Sequence, residues 1–420
     1  MKIGMRTQSF EVLVAAILLA ATAYGQTDPA PPATAPPALS DTASSSYERR
    51  DSFPNINIYL PEGEASLRVR RLIRNALFET QIDYKFASGD IRTFLRYKYY
   101  ARNYTYRIGI FDTIEFPDLG EESKVEFERV RGGLLLIGIP RDYNTRYFVL
   151  LQDDRLTFGD LTEVDNKKNN IYTKIAYQFG TKFDERMNSI VGESRGRITP
   201  VLTAFRDIGP EKTGLAVALT QSARFATGDY KYTKFEAEAL RRFDVTTRTF
   251  IFSRLHVGAF FGYEELEDRT GPEIEHYSVP RYEMFRLGGR DALTSIRTNE
   301  FTQGLQEIHM RNEYFFPIFR NRDIKTGPLH WNTLYGITYL GLGTVGFKTD
   351  QLTKTRDAVV DAGLGIEAAI SVRDFEILLG VLYAHTVAAP CDRDPVTNER
   401  VPDGRCLTGS KWAISARTIR

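Results

Sequence analysis

The chain is poor in the residues by which most catalytic or metal-binding proteins are recognised. Of its 420 residues two are Cys, two Trp, five Met and five His. The histidines are scattered along the sequence without the i,i+4 or short-spaced grouping of a metal centre, and a phosphate-cradling Gly-Lys-Ser/Thr loop is missing. No catalytic residue, cofactor or metal ligand is therefore expected, and the chain does not read as an enzyme. Charge of one sign is also lacking: 55 Lys and Arg face 54 Asp and Glu, for a net charge of +1. That balance excludes a nucleic-acid binder driven by global charge, while 42% hydrophobic residues exclude a disordered chain. Beyond the first 25 residues there is no long apolar run. The densest stretch, Leu134 to Ile137 in GGLLLIGIP, is far too short for a membrane helix.

What the chain has in quantity is Phe and Tyr, 27 and 22 of them, in a sequence whose mean hydropathy is polar at −0.31. The alternation of residue types accounts for this. In FETQIDYKF, Phe78, Thr80, Ile82, Tyr84 and Phe86 share one parity, and Glu79, Gln81, Asp83 and Lys85 the other. Such a segment is a strand with one apolar and one polar face. The pattern returns around Leu95, Tyr97 and Tyr99, around Tyr106, Ile108 and Ile110, and around Leu255, Val257 and Ala259, whereas helical 3.6 spacing is rare. A soluble sandwich alternates too. Long strands in sequential hairpins, heavily charged polar parity and aromatics towards strand ends favour a transmembrane β-barrel instead.

Residues 1–25 read as a secretory signal peptide, with Lys2 and Arg6 ahead of an apolar core from Val12 to Ala23. Residues 26–62 are expected to be a Pro/Ala/Ser-rich periplasmic tether and 63–420 an outer-membrane barrel. The fold expected is an all-β, transmembrane antiparallel barrel of about sixteen strands. Its first segment, Ser66 to Leu77, reads either as a first strand or as a short basic plug helix. Another strand is expected at 197–207. The external connections would then include 182–196, 264–304, 348–357 and 389–409, and the opposite turns Gly209–Lys212, Val245–Arg248 and Val372–Asp374. The connection at 320–332 is long for that side. Cys391 and Cys406 lie in the last external loop, and an even pair in an exported chain closing a loop of about 15 residues reads as a disulfide worth about 3 kcal/mol. The polar parity would line the lumen with mixed charge, among it Glu79, Arg96, Arg254, Arg311 and Glu313, read as salt-bridged filling rather than an ion-selective pore. His256 and His309 fall on the same faces and read as polar lining.

Residues 285–319, FRLGGRDALTSIRTNEFTQGLQEIHMRNEYFFPIF, resemble the BamA-like outer-membrane assembly and translocation superfamily, the bacterial surface antigen family. Leu287, Gly288 and Gly289 match its Leu-Gly-Gly segment, and Glu313, Phe316, Pro317 and Ile318 its following strand. The segment from Asp361 to Glu367 is similar to the family's late Gly-x-Gly strand. The resemblance implies a barrel, expected here with no POTRA domains, with a long loop after the eleventh strand, whose arginine folds into the lumen and meets an acid on a later strand. Here the arginine position holds Thr294, Ser295 and Ile296, and the acid position Gly341, so both halves of that pair are absent together. The loop is then anchored otherwise, through Arg290, Asp291 and Arg297, or lies outside the lumen. The implied role is a non-enzymatic outer-membrane component of assembly or translocation; a solute pore or receptor is the alternative. The partner implied is outer-membrane lipid around a monomeric barrel, with no nucleic acid.

Overall fold

In a computed structural model of the chain, residues 55–60, 64–73, 76–85, 90–100, 105–115, 127–140, 145–159, 166–180, 213–222, 228–264, 278–287, 293–295, 303–326, 329–347, 358–372, 375–389 and 409–419 are described. Their secondary structure is almost wholly strand. The first eight are β1 (Asn55–Leu60), β2 (Glu64–Ile73), β3 (Ala76–Lys85), β4 (Ile91–Tyr100), β5 (Thr105–Glu115), β6 (Phe127–Pro140), β7 (Thr145–Gly159) and β8 (Asn166–Gly180). Then come β9 (Thr213–Ser222), β10 (Thr233–Asp244), β11 (Phe250–Phe261) and a two-stranded ribbon of β12 (Phe285–Arg286) with β13 (Gln303–Gly304). The remainder are β14 (Gln306–Thr326), β15 (Leu329–Gly346), β16 (Val359–Val372), β17 (Phe375–Ala388) and β18 (Ser410–Ile419). All strands but the ribbon form one antiparallel sheet of sixteen, each beside its neighbour in sequence, closed where β1 pairs with both β2 and β18.

Parity decides which way each side chain points, as expected for a barrel wall. On the outside, Leu95, Ile110, Ile175 and Leu364 are 50%, 59%, 62% and 66% exposed, members of a set of exposed apolar side chains found on each of β3 to β11 and β14 to β18. The opposite parity is buried and carries charge: Glu79 with Arg96 at 2.5 Å, Glu238 with Arg254, and Glu313 with Arg311. These charges are thus paired within the wall.

The strand count agrees with expectation, although its composition does not. β1 lies inside the segment assigned to the tether, so the barrel begins at Asn55 rather than residue 63, and Glu64–Ile73 is strand rather than plug helix. The expected strand at 197–207 falls outside the described residues, and β8 pairs directly with β9 through nine residue pairs from Tyr172↔Ser222 to Gly180↔Gly214, leaving no place between them. The chain between β8 and β9 consequently leaves the barrel at the end that carries the Val245–Arg248 turn, opposite to the expectation for 182–196. Connections 264–304, 348–357 and 389–409 share the other end, as expected. The apparent excess at 320–332 is strand: β14 continues to Thr326 past register shifts beyond Pro317 and Arg320, and β15 resumes at Leu329.

Candidate functional site: a loop seated inside the barrel

The connection from β11 to β14 returns into the lumen, and three glycines on the wall make room for it. A Cβ on Gly258 would lie 2.2 Å from the Phe285 ring, one on Gly343 2.5 Å from Leu287, and one on Gly341 2.6 Å from Leu293. Loop side chains thus occupy the space that wall side chains would otherwise fill. Leu287 and Leu293 are completely buried with Val359, and the Leu293 N–H donates to the Leu287 carbonyl at 3.0 Å. Phe285 packs edge-on against Phe260, ring centroids 5.2 Å apart.

Below the apolar contacts runs a polar row set by register. Arg254, Arg311, Gly341, Asp361 and Thr386 stand opposite one another on β11, β14, β15, β16 and β17. Arg311 donates to Glu313 at 2.7 Å and to the Thr294 hydroxyl at 2.8 Å, and its guanidinium lies 4.3 Å from the centre of the Tyr339 ring. Asp361 accepts the Tyr339 hydroxyl at 2.6 Å and the Ser295 backbone N–H at 3.0 Å, while the Ser295 and Thr386 hydroxyls are 2.9 Å apart. Arg311, Glu313, Asp361 and Ser295 are all at most 1% exposed. In so dry a place each charged hydrogen bond is worth about 1.5–3 kcal/mol, and a partner left unpaired costs more.

The charges of this row sit elsewhere than on the loop and Gly341: an acid stands one strand over, at Asp361, the register partner of Gly341, and an arginine on the wall at Arg311, on the other side of the same glycine. The loop supplies a hydroxyl and a backbone N–H in place of a guanidinium. It also carries an arginine at a site that sequence reasoning missed. Arg281, in a short 3-10 turn, donates to Glu128 on β6 at 2.8 Å, and Glu283 meets Lys234 on β10 at 3.3 Å. Val279, Met284 and Phe285 join Phe94, Phe111 and Leu134 of β4 to β6 in one apolar cluster. The loop therefore touches both sides of the lumen.

Of the residues singled out in the sequence, Leu287 and Glu313 belong to this seat, and Pro317 stands at the β14 register shift. Gly288, Gly289, Arg290, Asp291, Arg297, Cys391 and Cys406 lie outside the described residues. So does a Gly-x-Ser-x-Gly string at 192–196. His256 and His309, scattered in sequence, are direct register partners across β11 and β14 with ring centroids 5.1 Å apart. The signal for that pairing lies in the register across a long loop and not in any local spacing.

No protein-family model matches the chain, and no curated protein matches it in sequence. Solved structures do resemble it. BamA from Haemophilus ducreyi lacking POTRA domains 1–3 aligns over 87% of this chain and 69% of its own, with a TM-score of 0.56 and 10% identity. CdiB from Escherichia coli aligns with a TM-score of 0.53 and CdiB from Acinetobacter baumannii with 0.50, each at 10% identity over 87% of this chain. The chain spans 62% and 59% of those two CdiB chains, less than two thirds of their length. At such identity the likeness is one of fold, and the fold of this chain is a sixteen-stranded barrel of the BamA-like kind.

Proposed function

We propose that the chain is an outer-membrane β-barrel protein that acts without enzymatic chemistry in outer-membrane assembly or translocation, as a monomeric barrel surrounded by lipid. The apolar belt on the outer parity supports residence in a bilayer, and the apparent signal peptide supports export. The observation that carries the functional reading is the closing seam. Among the described residues, β1 and β18 share three residue pairs, Ile58↔Ala416, Tyr59↔Ser415 and Leu60↔Ile414, against ten between β17 and β18. A sheet parts where its ladder is shortest, and the freed edges of β1 and β18 would offer backbone groups to a strand-forming client. The loop pinned inside the lumen speaks against the alternative of a permanently open solute pore.

The test combines depletion with a locked seam. Depleting the protein in its host is expected to lower the yield of folded outer-membrane barrels or of exported polypeptide. A Tyr59→Cys/Ser415→Cys variant, with Cys391 and Cys406 replaced by Ser, is expected to restore that yield only when reduced. Equal rescue by the oxidised and reduced forms removes the seam from the mechanism. A large steady conductance of the wild type in planar bilayers favours the pore.

A further inference from the structure

We propose that His256, Glu307 and His309 form an intramolecular site for one divalent first-row cation of the zinc class, inside the barrel and bridging β11 to β14. Each of the three offers one ligand atom, these atoms lie within 4.8 Å of one another, and all three side chains are buried. A pair of imidazoles and one carboxylate is a donor set that suits zinc and its neighbours, which accept nitrogen and oxygen ligands in flexible four- or five-coordinate geometry.

The strongest indication comes from comparing the carboxylates of this part of the lumen. Glu236 faces Lys234 at 3.2 Å, Glu238 faces Arg254, and Glu313 faces Arg311 at 2.6 Å, so each has a permanent cation beside it. Among the described residues, Glu307, 2% exposed, has only imidazoles beside it: His309 Nδ1 at 2.8 Å and His256 Nδ1 at 3.5 Å. A buried carboxylate without a compensating charge costs several kcal/mol, and neutral imidazoles do not supply that charge. His256 Nδ1, pointing at Glu307, makes no hydrogen bond, and neither does the buried His309 Nε2. A cation held among the three relieves the carboxylate and takes up a nitrogen lone pair that is otherwise unused.

The scaffold is suited to holding such a site in place. His256 and His309 are locked opposite each other by the β11–β14 ladder, and Glu307 follows on the same face of β14 two residues away. The Phe285 ring closes over His256, with centroids 6.0 Å apart, and the neighbouring position on β11 is Gly258, whose lack of a side chain admits that ring. The site therefore lies directly under the seated loop, shielded from bulk water by a residue of the loop itself.

The test uses the full-length protein in detergent, purified without a histidine tag, stripped with chelator and titrated with Co2+ alone, followed by competition with Zn2+. One equivalent of Co2+ is expected to bind, with the visible absorption of a four- or five-coordinate nitrogen and oxygen site, and to be displaced by Zn2+. His309→Gln and Glu307→Gln are each expected to weaken binding at least about ten-fold, the lower bound for losing a supporting group and so a minimum for losing a ligand. Absence of stoichiometric uptake, or uptake that the substitutions leave unchanged, overturns the proposal and assigns the balancing charge to an imidazolium. Where a variant loses the compact form seen in unboiled gels, the wild-type spectrum decides: the weak absorption of six-coordinate aqueous Co2+ overturns it equally.

Discussion

At the scale of single residues, Asp361 is the hinge of the interior. It accepts one hydrogen bond from the wall, through Tyr339, and one from the loop, through the Ser295 N–H. Asp361→Ala leaves both donors buried and unpaired, which costs about 2–5 kcal/mol on typical magnitudes. Because the lost contacts are those of loop docking, amide hydrogen exchange in peptides covering 285–297 is expected to accelerate by a factor of about 30 or more at 1.4 kcal/mol per tenfold, with exchange in the distant β4–β5 hairpin unchanged. Uniform acceleration would mean that Asp361 supports the whole barrel and not the loop. Gly341 makes the complementary case. A side chain there would meet Asp361 Oδ1 at 2.1 Å and the Tyr339 hydroxyl at 2.3 Å, so an acid introduced at this position, Gly341→Asp, meets a site that is already filled. It is expected to destabilise the protein by more than Gly341→Ala, itself costing about 1–3 kcal/mol as overpacking does, in urea unfolding followed by tryptophan fluorescence. A stabilised Gly341→Asp variant would show that the receiving position is still open.

At the scale of elements, the seam strand β1 has the greatest effect for its length. Its six residues link β2 to β18, and in a bilayer every strand edge left without a partner exposes backbone groups that lipid cannot satisfy. Deleting residues 55–60 is expected to abolish the heat-modifiable mobility of the folded barrel, whereas a deletion that leaves this mobility intact would show that the seam is dispensable. The same strand shows what the sequence could and could not reveal. Alternation points to the strands from β3 to β11 and from β14 to β18, since two-sided strands repeat the same polarity many times over, but not to all of their ends: β14 runs on to Thr326, through residues that read as a connection. β1, NINIYL, alternates as well, but it follows a Pro/Ala/Ser-rich stretch and lies between Pro54 and Pro61, so its composition read as tether. An expected strand at 197–207 then restored the count while reversing the side assigned to the connection after β8. The site was legible only in part. Leu287 and Glu313 were found through the resemblance, and Asp361 was noted only as part of a glycine-rich strand. Its role depends on β15 and β16 lying in a register that opposes it to Gly341, and that long-range alignment leaves no local trace. Arg281 was invisible for the same reason, its partner Glu128 lying 153 residues away.

At the scale of the whole molecule, a neutral and on average polar chain becomes a barrel by sorting: most of the buried charges meet a partner inside, where part of the Phe and Tyr also packs, and the exposed aliphatic and aromatic residues lie on the outer parity. Ile110, mid-strand on β5 and 59% exposed, would tolerate Arg if water surrounded the barrel. In a bilayer Ile110→Arg is expected to cost about 2–4 kcal/mol near the midplane, seen as a loss of folded protein in lipid vesicles; equal stability of variant and wild type there would contradict the lipid-facing assignment. The long loop is seated inside this barrel, and the hydroxyls of Ser295 and Thr386, 2.9 Å apart, allow its place to be tested directly. In a background with Cys391 and Cys406 replaced by Ser, a Ser295→Cys/Thr386→Cys variant in native membranes is expected to form its disulfide nearly completely, since the two side chains already meet within the reach of such a bond. Two thiols that remain free and label readily with a membrane-impermeant reagent would place the loop outside the lumen and contradict the structure at its functional centre.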